Sequence, residues 1–138
     1  MKKQGSILEF TEQRNKELMK AFTMALSKAS FIDIKIIATE IVNTPCSRFW
    51  VSEERAASVI RAIRKNKNVL SCMRPTKREM FIEINKRVKQ LRKSTPNSSL
   101  PQLVEKVVNS PAPKFYMKPR CAMEIIYKIK KGFYEKSQ

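Results

Sequence analysis

The 138-residue chain contains no histidine at all, only two glycines and three cysteines. Without histidine there is no Ser-His-Asp triad, no Cys-His dyad, no HExxH zinc helix and no Cys₂His₂ zinc finger. Gly5 and Gly132 are too few for a glycine-rich phosphate loop. Cys46, Cys72 and Cys121 form no CxxC pair and cannot build a disulfide framework, which points to reduced thiols in a cytosol-like compartment. Acidic residues are scarce, at 12 Asp+Glu against 29 Lys+Arg, a net charge of +17. MKKQGSILEF lacks the apolar stretch of a signal peptide, and no apolar run approaches the roughly 20 residues of a membrane span. A nucleophile–base pair and a metal-ligand set are both missing, so the expectation is a non-enzymatic protein with no cofactor and no small-molecule substrate. Glu53 and Glu54 are better explained by a helix start than by acid–base chemistry.

The charge that is present is unevenly placed. Residues 1–66 hold 12 basic and 7 acidic side chains, and residues 67–138 hold 17 and 5. Such crowding costs self-repulsion, which a polyanion relieves by giving up its counterions to Lys and Arg. Nucleic acid is the leading partner. An anionic membrane is disfavoured because the basic residues do not lie on one amphipathic helix.

An internal repeat organises the chain. TEIVNTPCSRFWVSEERAASVIRAI (39–63) aligns without gaps to EKVVNSPAPKFYMKPRCAMEIIYKI (105–129), with seven of 25 positions identical. Both copies read Val-Asn-(Ser/Thr)-Pro-x-x-basic-Phe-aromatic, then enter a helical stripe. Ala56, Val59, Ile60 and Ile63 recur at i, i+3, i+4 and i+7, as do Ala122, Ile125, Ile126 and Ile129. Ser52 is a good N-cap, and Pro119 suits a first helical position. Shorter helical patterns precede each motif, at Phe31, Ile34, Ile37, Ala38 and Ile41 and at Leu100, Leu103, Val104 and Val107. Asn43 and Asn109 are expected to end them in the left-handed conformation. Longer helices are expected over 6–28 and 76–93.

The expected fold is therefore all-α, with two tandem trihelical repeats, 1–66 and 67–138, packed about a pseudo-twofold axis as one compact unit. The segments 49–51 and 115–117 are candidates for a short two-stranded β ribbon. A short helix, a turn and a basic helix resemble a helix-turn-helix module, although the turn from Thr44 to Val51 exceeds the usual three or four residues. Phe49 and Phe115 are expected in the core. Trp50 and Tyr116 suit either core packing or stacking on bases. Cys46 and Cys121 read as small buried or semi-buried thiols rather than nucleophiles.

Candidate phosphate contacts are Arg48, Arg55, Arg61, Arg64 and Lys65 in the first half. In the second they are Lys86, Arg87, Lys89, Lys114, Lys118, Arg120, Lys128, Lys130 and Lys131. A solvated face normally mixes signs, and acidic partners are scarce around 61–67 and 126–131.

NTPCSRFWVSEERA, NSPAPKFYMKPRCAMEIIYKIKKG and the Met80-Phe81-Ile82-Glu83-Ile84 stretch resemble a family of small basic proteins of phages and mobile elements of gut Bacteroidetes. The resemblance covers about 35–129. It implies a context and no mechanism. The resulting expectation is a double-stranded DNA-binding protein, cytoplasmic and nucleoid-associated or in a virion. The alternatives are a phage structural or assembly protein with other protein subunits as partners, and an RNA- or ribosome-associated protein.

Overall fold

A computed structural model describes the backbone of residues 2–132 and the side chains of residues 10–132. The described residues form α1 (Lys2–Lys28), α2 (Ile34–Val42), α3 (Glu53–Arg64), α4 (Pro75–Ser94), α5 (Leu100–Val108) and α6 (Pro119–Lys130), with a 3₁₀ turn at Leu70–Cys72. No strand occurs among the described residues. The fold is all-α, as the 3.6-residue periodicity requires.

The chain divides into two compact units that do not follow its two halves. Unit 1 is residues 1–46 and 113–138; unit 2 is residues 47–112. In unit 1, α1, α2 and α6 pack on one another. In unit 2, α3 packs on α4 and α5. Each unit thus takes its long and short helices from one half and its third helix from the other. This corrects the expected grouping into trihelical repeats 1–66 and 67–138. The connectors permit this. A local helix-turn-helix needs a turn of about three or four residues. Here 43–52 and 109–118 are ten residues each, and such a segment reaches up to about 33 Å.

Both units are built on the same rules. In unit 1 the core is Leu18, Phe22, Ile37, Ile41, Phe115 and Ile126. In unit 2 it is Phe49, Ile60, Phe81, Ile84, Leu103 and Val108. Phe49 and Phe115 are 0% and 3% exposed, at equivalent positions of the two motifs. Burying each such ring is worth about 3 kcal/mol.

The motif's polar residues close the helix ends. A helix leaves its last carbonyls without partners. Val108 O accepts from Phe49 N–H at 3.0 Å in unit 2, and Val42 O accepts from Phe115 N–H at 2.9 Å in unit 1. The Phe49 and Phe115 amides are therefore spent on helix C-termini, the Val51 amide turns back to Phe49 O, and the segments 49–51 and 115–117 form no ribbon. Asn43 and Asn109 end their helices at φ −95° and −89°, outside the left-handed region. Their side chains explain their presence: Asn43 Nδ2 donates to Thr39 O at 2.9 Å, and Asn109 Nδ2 to Glu105 O at 2.8 Å. Thr44 Oγ1 and Ser110 Oγ donate to Glu40 O and Val107 O.

Ser52 Oγ accepts from Arg55 N–H at 3.1 Å, with Glu53 and Glu54 in the first turn of α3. Pro119 opens α6. Asp33 caps α2, and Ser99 with Gln102 forms a full capping box on α5. Cys46 is buried, whereas Cys121 is exposed, contrary to expectation. Its position on α6 faces away from Ala122 and Ile126, so packing does not enclose it. Phe31, expected on the buried stripe of the short helix, precedes α2 and is 70% exposed.

Candidate nucleic-acid interface

The fourteen basic residues singled out from sequence divide into those the fold uses and those it leaves on the surface. Arg48 belongs to the first group. Its guanidinium donates from Nε to Phe49 O at 2.9 Å, from Nη2 to Val51 O at 2.9 Å and from Nη1 to Asn109 Oδ1 at 3.0 Å. Asn109 Nδ2 also reaches Glu53 Oε2 at 3.3 Å. Arg48 thus ties the C-terminus of α5 to the N-terminus of α3.

Arg87 is used in a similar way. Its Nε donates to Glu83 Oε2 at 2.8 Å, its Nη1 to Pro111 O at 2.6 Å, and its guanidinium lies 5.1 Å from the centre of the Phe49 ring. This half-buried arginine covers the aromatic anchor of unit 2. Both guanidinia have most of their donors committed inside unit 2, which makes them poor phosphate ligands. Lys114 is half-buried, with its Nζ 5.6 Å from the Tyr116 ring centre.

The other eleven are exposed. On α3 the buried side is Ala56, Ala57, Val59 and Ile60. Arg55, Ser58, Arg61 and Lys65 follow one another at three- and four-residue steps on the opposite side, whereas Arg64 stands one turn beyond Ile60, exposed at the end of the helix. Among the described residues, no ion pair engages Arg55, Arg61, Arg64 or Lys65. Arg61 and Arg64 occupy the last turn, where cations are favoured by the helix dipole. That benefit alone does not require four exposed cations on and just beyond one helix. On α4, Lys86, Lys89 and Lys93 make a second basic row opposite Met80, Phe81, Ile84 and Val88. Unit 2 as a whole holds fifteen basic and five acidic residues, a net of +10.

Unit 1 presents a different surface on α6, the helix equivalent to α3. Lys118 is its N-cap, and Arg120 Nε lies 3.7 Å from Glu124 Oε1. Lys131 Nζ lies 5.7 Å from the Tyr127 ring centre, and Lys130 Nζ 4.8 Å from that of Phe22. Lys128 is exposed on the same helix. Tyr127 is 63% exposed and was not among the residues singled out. Its signal was its place off the Ala122–Ile126 stripe, where an aromatic has no core to enter. A solvent-facing ring beside cations is a platform on which a base can stack. Trp50 and Tyr116 are half-buried, and Tyr116 adopts φ 57°. A non-glycine residue held there costs on the order of 1 kcal/mol, which the surrounding structure must offset.

Among the described residues, no group of three or more Cys, Asp or Glu side chains gathers to hold a metal ion. No helix among them is long and apolar enough to cross a membrane. No protein-family model, no curated protein and no solved structure matches the chain.

Proposed function

We propose that the protein binds double-stranded DNA without catalysing a reaction, as an accessory or regulatory factor of a phage or mobile element. The observation that carries this reading is the basic surface of α3, where Arg55, Arg61 and Lys65 on the outward side and Arg64 at the helix end are exposed and engaged in no ion pair among the described residues. Phosphates on a duplex are spaced closely enough for one helix side to neutralise several, each releasing condensed counterions. The lysine row on α4 adds to the same unit's field. α6, with Tyr127 beside Lys131, supplies a second and chemically different contact helix. The contacts proposed here are to phosphate; they position a protein on DNA and carry no base preference of their own.

Reversing Arg61, Arg64 and Lys65 to glutamate tests the reading. Loss of three phosphate contacts weakens duplex binding by well over tenfold at moderate salt. Helicity measured by circular dichroism stays unchanged, because none of the three is buried. Equal affinity removes α3 as the contact surface. Competition with structured RNA separates the RNA-associated alternative, which the same charge would serve.

A second reading, an assembly or virion protein, is favoured by one specific feature. Phe31 and Ile32, just before α2, and Ile34 and Ile36, in its first turn, are exposed apolar side chains close together in the chain. Surfaces of that kind mark interaction sites.

A further inference from the structure

The internal repeat provides its own control for judging that apolar run. At an offset of 66 residues, Phe31, Ile32 and Ile36 correspond to Asn97, Ser98 and Gln102. Both sets sit at the start of equivalent helices, and in both copies the first and third of the three residues are exposed. Phe31, Ile32 and Ile36 are 70%, 66% and 59% exposed. The fold therefore does not need apolar residues at these places, since the second copy does with polar ones. Ile36 even forgoes a benefit. It occupies the position where Gln102 completes the capping box of α5 by accepting from Ser99 N–H at 3.0 Å. An isoleucine cannot make that bond.

The outward side of α2 has a second property. Ile37, Ala38, Ile41 and Val42 face the core of unit 1. Lys35, Ile36, Thr39, Glu40 and Asn43 line an open groove of about 520 Å³ on the other side. Ile36, Thr39 and the C-cap Asn43 follow the three- and four-residue spacing of a short helical seam, with Lys35 and Glu40 at its two flanks and Ile32 just before the helix, ahead of the extended Asp33. When two such helices lie parallel, each flank residue faces the opposite flank of its partner five residues further on. Lys35 of one copy then meets Glu40 of the other, twice across the two-fold axis. Charges on this side are balanced, in a chain whose net charge of +17 repels another copy elsewhere.

We infer that the protein forms a symmetric homodimer through the outward side of α2, with Ile36 in the seam, Phe31 and Ile32 of the preceding segment beside it, and Lys35–Glu40 pairs fixing the register. The occupant of the apolar surface is a second copy of this chain. The inference stands apart from DNA binding and does not use the basic side of α3. The seam is short, so the dimer is expected to have a dissociation constant on the order of 10 µM.

Sedimentation equilibrium of the full chain, from about 1 to 200 µM and at about 0.3 M salt to screen the net repulsion, tests it. The wild type is expected to pass from 16.1 kDa toward twice that mass. The triple variant F31N/I32S/I36Q carries the residues of the second copy. It is expected to dimerise at least tenfold more weakly while melting no lower than wild type, because I36Q completes a capping box. K35E is expected to weaken the dimer severalfold, and K35E/E40K to restore it. A wild type that stays at 16.1 kDa overturns the proposal. So does a triple variant that dimerises like wild type, or a charge swap that fails to rescue K35E.

Discussion

Replacing Arg48 with methionine separates a structural arginine from a DNA-contacting one. The substitution keeps an unbranched apolar stem of similar reach and removes the guanidinium. Three bonds are lost, to Phe49 O, Val51 O and Asn109 Oδ1, all between 2.9 and 3.0 Å. Hydrogen bonds from a charged donor contribute about 1.5–3 kcal/mol each where water is excluded, and less where it can substitute. Arg48 is half-buried, so the three together are discounted to about 2–3 kcal/mol. Lysine retains at most part of this, since its ammonium cannot span acceptors arranged for a planar fork. The assay is urea unfolding followed by the fluorescence of Trp50, the single tryptophan, two residues away. Arg61→Met serves as the control, with an expected change within about 0.5 kcal/mol at an exposed position. The opposite order is expected for duplex DNA: Arg61→Met costs more affinity than Arg48→Met when both proteins are folded. If Arg48→Met loses less than about 0.5 kcal/mol, the fork described here contributes nothing and the reasoning fails.

Phe49→Ala and Phe115→Ala each remove a ring that is 3% exposed or less, and each is expected to cost about 3–5 kcal/mol in the same unfolding assay. A cost near zero for either moves that ring to the surface. Ser52→Ala deletes the cap on Arg55 N–H and is expected to cost about 1 kcal/mol, read as a lower urea midpoint with an unchanged slope. An unchanged midpoint shows that the cap is redundant.

The sequence carried the helices clearly and their grouping poorly. Ile60 and Ile126 lie on stripes of period 3.6, and a stripe announces both a helix and its buried side. Ser52 and Pro119 act locally, so they too were readable. Which stripe covers which depends on non-local packing, and nothing in a single repeat distinguishes α3 packing on α5 from α3 packing on α2. The ten-residue connectors were the available hint, and they weakened the helix-turn-helix reading without indicating the exchange of third helices. The candidate interface divides on the same line. Arg61 and Lys65 were legible because helical spacing puts them off the stripe that holds Ala56, Val59 and Ile60. Arg48 and Arg87 were not, because their acceptors, Asn109 Oδ1 and Pro111 O, lie 61 and 24 residues away. Composition counts a cation without saying where its donors go. The conserved look of Asn43 and Asn109 within the repeat pointed to a helix end, correctly placed, but closed by the side-chain amide and not by left-handed backbone.

The exchange of third helices also bears on function. α3 carries the densest basic side, and it belongs to unit 2 with the lysine row of α4. α6 belongs to unit 1 with the apolar side of α2. Charge and apolar surface are thereby assigned to different units of one chain. Two equivalent helices, α3 and α6, have diverged in what they expose, with Arg61 replaced by Tyr127 at the same position. A duplicated scaffold with divergent surfaces suits a protein that holds DNA with one unit and another copy with the other.

The most direct test of the central claim is duplex DNA binding across a salt series, run for the wild type and for the variant with Arg61, Arg64 and Lys65 reversed to glutamate, with heparin as a charge-matched competitor. DNA binding through α3 predicts a steep fall of log affinity with log salt for the wild type, retained against heparin, and a slope shallower by about 3 for the variant. Identical slopes for the two proteins, or binding that heparin mimics fully, contradict it.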